Sequence, residues 1–127
     1  MILIGKKEWG RLVKINKEYY CIGIGINMQT KTVYYRIVDE LKEIGVYPEA
    51  YFNIKNPQLL NMCFKTREGY CRVGLIEIEN LTHDNDIWDI YHSGKNSSIE
   101  KEIHKIIIEN AKQEGIDIEY INVTGNR

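Results

Sequence analysis

Residues 19–28, YYCIGIGINM, place Tyr20, Ile22, Ile24, Ile26 and Met28 on one face of an extended chain and Cys21, Gly23 and Gly25 on the other. Side chains of a β-strand alternate between faces, so ten residues with a period of two specify a strand buried on one side. The polar link Gln29-Thr30-Lys31 leads into Thr32–Val38, where Val33, Tyr35 and Ile37 face away from Tyr34 and Arg36. Two alternating runs joined by a short polar link form a β-hairpin. An antiparallel sheet is therefore the base of the fold.

Working outward, EWGRLVKI (Glu8 to Ile15) alternates in the same way around Gly10 and is expected to be the first strand. After the hairpin, the polar patch Asp39 to Glu43 also fits a helical turn. GVYPEAYFNI follows, and its Pro48 has no N–H for a ladder, so a strand there lies at an edge or bend. Lys55 to Asn61 reads as loop, Met62 to Thr66 as strand, Arg67-Glu68-Gly69 as turn and Tyr70 to Ile78 as strand. In NLTHDNDIWDIYHSG, Asp84 or Asn85 caps a short helix carrying Ile87 and Tyr91, and Gly94 closes it. Ser97-Ser98-Ile99-Glu100 matches a capping box. Beyond it, Ile99, Ile103, Ile106, Ile107 and Ala111 recur at helical spacing opposite Glu100, Lys101, Glu102, Lys105, Glu109 and Lys112, and Gly115 stops the helix. The tail IDIEYINV suits a further strand or a partner. These elements predict one α+β domain over 1–127: a small twisted antiparallel sheet or SH3-like barrel in 1–80, two helices in 84–115 and a tail in 116–127.

Apolar residues make up 43% of the chain and charged residues 28%, enough to bury a core without staples. A net charge of −1 supplies no field for DNA, RNA or an anionic membrane. Cys21, Cys63 and Cys71 have no CxxC spacing and read as reduced thiols of a cytoplasmic chain. No stretch approaches 18 consecutive apolar residues, so a membrane span is not expected. Abundant Ile, Lys, Asn and Glu suit an AT-rich bacterial or phage genome.

The GxG of CIGIGIN lies inside a strand with no helix after it, which excludes a phosphate-cradling turn. Those glycines allow close approach of a backbone or flat ligand, or strong sheet coiling. His83, His92 and His104 lack metal-ligand spacing, and no nucleophile motif is present, so no enzyme, cofactor or metal is expected. Asp84, Asp86 and Asp89 with His92 are the remaining acid/base candidates, although acids at a helix start also complement its dipole. Nine tyrosines and two tryptophans accompany Arg11, Arg36, Arg67 and Arg72. Aromatic faces stack on bases and arginine forks pair with phosphate oxygens. The same residue types serve protein interfaces, and tyrosine is also simply a good strand former.

GVYPEAYFNI, preceded by YYRIVDE, resembles the closing segment of SH3-like small barrels. More broadly, the order GKKEWGRLVKI, YYCIGIGINMQTKTVYYRIVDE, VYPEAYFNI and IWDIYHSG before a final helix resembles small phage proteins of the first Thoeris anti-defence type. The resemblance implies a twisted antiparallel sheet with C-terminal helices that forms homo-oligomers. It also implies sequestration, without cleavage, of a cyclic ADP-ribose signal in the host-cell cytoplasm. On that likeness, some of Arg11, Arg36, Arg67, Arg72 and Lys105 would bind phosphate, and Trp9, Phe52, Phe64, Trp88 or Tyr91 would stack on adenine. Helix 97–114 would hold subunits together. One departure is that this helix carries lysines and no arginine, so it offers no bidentate clamp. The alternative is an immunity or interaction protein that neutralises a toxin by protein–protein binding.

Overall fold

The computed structural model describes residues 1–82 and 86–116. Seven strands precede three helices: β1 (Ile2–Gly5), β2 (Glu18–Asn27), β3 (Thr32–Val38), β4 (Ile44–Pro48), β5 (Phe52–Asn56), β6 (Met62–Arg67), β7 (Tyr70–Leu75), α1 (Ile76–Glu79), α2 (Ile87–Ser93) and α3 (Ser97–Gln113). All strand pairings are antiparallel, and the sheet runs β4-β3-β2-β1-β5. β7 pairs with β2 over Gly23–Asn27, beyond the Glu18–Tyr20 stretch that pairs with β1, and β6 pairs with β7. The chain is an α+β fold.

The alternation in β2 is broken where it matters most. Cys21 pairs with Ile37 but Gly23 pairs with Arg36, leaving Ile22 as an extra residue in a β-bulge. Tyr20 and Ile22 therefore face the helices, and so do Gly23 and Gly25, while Tyr19, Cys21 and then Ile24 face the opposite way. The single face expected for Tyr20 through Met28 is thus split between two cores. One core lies between sheet and helices and joins Tyr20, Ile22 and Val38 to Trp88, Tyr91, Ile103 and Ile107. The other joins Leu3, Val13, Tyr19, Cys21, Tyr35, Ile37, Tyr47 and Phe52. Tyr47 of β4 and Phe52 of β5 come from opposite ends of the strand order, so the sheet curls to bring them together.

Glu8 to Ile15 is not a strand. Gly10 takes a positive φ of 50°, Leu12 N–H returns to Trp9 O, and only an isolated bridge links Trp9 to Val13. This loop is pinned by fully buried Val13 and by Lys14 N–H donating to the Tyr19 hydroxyl at 2.7 Å. The first strand is instead Ile2–Gly5. Asp39 to Glu43 is a turn, in which Asp39 Oδ1 accepts the N–H groups of Leu41 and Glu43. The strand expected to reach Ile78 ends at Leu75, and its last residues form α1.

Asp86 caps α2 by accepting from Trp88 N–H at 2.9 Å, and Gly94 closes it in the left-handed conformation. Asp84 and Asn85, the expected caps, lie outside the described residues, as does the tail beyond Ile116. The α3 cap is Asn96, one residue before the expected serine, accepting from Ile99 N–H at 3.1 Å. At the far end Gly115 N–H reaches Lys112 O and Ile116 N–H reaches Ala111 O, a Schellman closure with Gly115 at φ 73°. Ile103, Ile106, Ile107 and Ala111 are buried as their spacing requires. Among the described residues no helix is long and apolar enough to cross a membrane.

Candidate functional site

Register carries side chains from four elements to one place on the helix side of the sheet. Arg36 stands opposite Gly23, and Gly25 stands between Tyr34 of β3 and Arg72 of β7. The two arginines thus flank β2 with only glycines between them. Trp88 of α2 covers Arg36, whose guanidinium carbon is 4.0 Å from the ring centroid. A cation over an indole face is attracted by the ring quadrupole, and more strongly when desolvated.

Buried Glu79 of α1 organises the cluster. Its Oε2 accepts Nε and Nη2 of Arg72 at 3.1 and 2.8 Å, and its Oε1 accepts Trp88 Nε1–H at 3.2 Å. Lys65 donates to the Glu79 backbone oxygen at 2.7 Å. Asp86 accepts Arg72 Nη1 at 2.7 Å and Arg67 Nη1 at 3.0 Å while capping α2. Gly74 makes room for this arrangement, since a Cβ there would stand 2.8 Å from Glu79 Oε1.

The electrostatics distinguish the two arginines. Burial alone would loosen the Arg72 proton, but hydrogen bonds and charge from Asp86 and Glu79 reverse this and hold Arg72 above its ordinary pKa. Arg36 is pulled down to about 10 by burial and then by repulsion from Arg72, against weaker attraction from Glu79 and Asp86. Burial would raise the Asp86 carboxyl, yet the Arg72 bond, the Trp88 N–H and the charges of Arg72 and Arg67 together keep it below its ordinary value. Between the arginines lies a cleft of ≈ 30 Å³ lined by Gly23, Gly25, Arg36, Val46, Arg72 and Trp88, among others.

Of the residues expected to bind ligand, the structure brings Arg36, Arg67, Arg72 and Trp88 together, but Trp88 is a correction as a base-stacking residue, because it is buried and Arg36 covers its ring. Trp9 is 41% exposed and packs edge-on against Tyr47 and Tyr51, on the loop that also carries exposed Arg11. Phe52 is a correction: its ring lies in the second core against Tyr19 and Tyr35, with no face left for a base. Tyr91 is another, being buried beside Trp88 with its hydroxyl accepting Ile44 N–H and donating to Glu43. Phe64 is exposed but pairs with Val73 on the face turned away from the arginines. Lys105 lines a separate open groove of ≈ 540 Å³ along α3, where Lys101 and Lys112 alternate with Glu100 and Glu109.

Glu79 and Lys65 belong to the cluster without having been singled out. The signal for Glu79 is a carboxylate inside the apolar run LIEIEN, at a position that proves buried. Of the acid/base candidates expected near His92, Asp86 and Asp89 both pair with Arg67, and Asp84 lies outside the described residues. Among the described residues no three His, Cys, Asp or Glu side chains stand close enough to share a metal. Compared with protein-family models, curated proteins and solved structures, the chain matches none of them.

Proposed function

We propose that this protein is a non-enzymatic binding protein that captures a phosphate-bearing, nucleotide-type signal, of the cyclic ADP-ribose class that the resemblance implies. One juxtaposition supports the reading: a guanidinium stacked on an indole beside a second arginine, with Gly23 and Gly25 of β2 between the two arginines. Guanidinium groups recognise phosphate oxygens, and an open sheet face with aromatic neighbours accepts a base by stacking. Titration calorimetry with cyclic ADP-ribose isomers tests it, followed by heating the complex and identifying the released molecule. Recovery of the intact ligand is expected. Cleaved product, or no heat of binding, would overturn the proposal.

A second reading, capture of a toxin by an immunity protein, is favoured by the opposite face of the sheet. There Ile26, Met28 and Phe64 are 36%, 55% and 62% exposed, and clustered exposed apolar groups mark interaction surfaces. Gene context separates the two readings. An adjacent toxin gene whose product co-purifies favours the second, and a prophage early-gene cluster favours the first.

A further inference from the structure

Among the described residues, four cations on the helix-side face meet three carboxylates. Arg72 is held by Glu79 and Asp86, Arg67 by Asp86 and Asp89, and Lys65 by Glu79. Among the described residues, Lys65, Arg67, Arg72 and Arg36 set against Glu79, Asp86 and Asp89 leave four minus three, one positive charge, and the cation of these four without a carboxylate within 4.0 Å is Arg36. Its Nη1 is buried with no hydrogen-bond acceptor among the described residues. Trp88 offers that group a π face but no acceptor in the guanidinium plane. A buried donor without an acceptor is costly and rare in native structures.

The three glycines around it differ in what they are for. A Cβ at Gly23 would come within 2.8 Å of Val73 O, and one at Gly74 within 2.8 Å of Glu79, so packing demands glycine at both. A Cβ at Gly25 would meet nothing within 4 Å. Packing does not require that glycine, and its missing side chain leaves space beside Arg36 and Arg72. The cleft, ≈ 30 Å³ in volume, has room for about two water-sized groups. That is the size of the oxygens of one oxyanion and much less than a base or sugar.

We propose that the cleft over Gly25 is an oxyanion slot, in which a singly charged bridging phosphate, either a diester or one half of a pyrophosphate, places an oxygen against the Arg36 guanidinium while the rest of the ligand lies outside on the sheet. This rests on the nucleotide-capture reading and narrows its ligand to molecules whose phosphates are bridging, with one charge on each. A terminal phosphate carries about −1.5 to −2 at neutral pH. Its second charge would face Glu79 and Asp86 with no further cation of this cluster left among the described residues to match it.

Calorimetry with cyclic ADP-ribose, 3′,5′-cyclic AMP, 5′-AMP, dimethyl phosphate and acetate tests this on wild type, Gly25→Ala and Arg36→Met. The three probes with bridging phosphates, the two diesters and cyclic ADP-ribose, should bind more tightly than 5′-AMP. Gly25→Ala should fold with an unchanged or higher melting temperature yet lose at least tenfold in affinity for those three probes, and Arg36→Met should lose as much. Cyclic ADP-ribose binding that is indifferent to both substitutions refutes the slot and leaves the capture reading standing. Dimethyl phosphate binding that depends on Arg36, with no nucleotide bound, upholds the slot and refutes nucleotide capture. Tighter binding of acetate or 5′-AMP than of the bridging-phosphate probes overturns the bridging-phosphate assignment, and no binding by any probe overturns both proposals.

Discussion

Replacing Arg36 with methionine should stabilise the protein. Methionine keeps an unbranched stem beside Val46 and Trp88 and removes only the guanidinium. Burial and the charge of Arg72 pull that guanidinium down from its ordinary value to about 10. At ~1.4 kcal/mol per pH unit of displacement, carrying the charge in the folded state costs roughly 3 kcal/mol. The substitution gives up stacking on Trp88, about 0.5–2 kcal/mol, part of which a thioether against the ring restores. The balance is about 1–2 kcal/mol in favour of the variant, or roughly 4–8 °C in melting temperature for a domain of this size. The sign with pH follows from the lowered proton affinity. The cost is fully present below the folded value and fades only as pH rises above it towards the ordinary arginine value, so pH 7 shows the whole effect. Calorimetric melting, with urea unfolding to confirm an unchanged denaturant slope, measures it. A variant less stable than wild type would show that stacking and packing already compensate the buried charge, and would refute the reasoning.

Asn96→Ala should cost about 1 kcal/mol by urea unfolding while Ser97→Ala stays within a few tenths, because the side chain at the cap position accepts the free N–H. Asp86→Asn should flatten the acid limb of stability. The wild-type carboxyl is held below 3.8, so it contributes above that pH and its contribution is lost as pH falls through the lower folded value. Unfolding midpoints from pH 2.5 to 6 for wild type and variant (a range of about this width spans the transition) would show converging curves only at the acid end. The Cys21 thiol is pushed up to about 11 by burial, so an aromatic disulfide reagent should modify half-buried Cys63 and Cys71 in the native state and reach Cys21 only on unfolding. Early, complete labelling of all three would contradict the second core as described.

The hairpin β2–β3 and helix α3 were legible because apolar residues recur in each at the period of its element, although β2 proves to bury both of its faces. The bulge at Ile22 was not, since Ile22 and Ile24 are equally apolar and alternation cannot show that they enter different cores. β1 is four residues long, too short for a period to declare itself. EWGRLVKI alternates without being a strand because Gly10 turns the chain, and only Val13 is needed inside. Asn96 and Ser97 are both good caps, and backbone geometry decides between them. The site was legible in residue type and not in membership. Arg36, Arg72 and Trp88 meet through pairings between distant segments, and the bulge determines which face they share. Glu79 lay just past the expected strand Tyr70 to Ile78 and drew no notice, because its role exists only once Arg72 and Trp88 are beside it.

The division of β2 between two partners along one edge has a consequence for synthesis. β1 is already made when β2 leaves the ribosome, and β3 follows at once, but Gly23–Asn27 waits for β7, some 45 residues later. Until then that stretch is an unpaired edge, the kind of backbone that templates aggregation. Gly23 and Gly25 lie within it and have low strand propensity. Before they shape any cleft, these glycines make the waiting edge a poor template for other nascent chains.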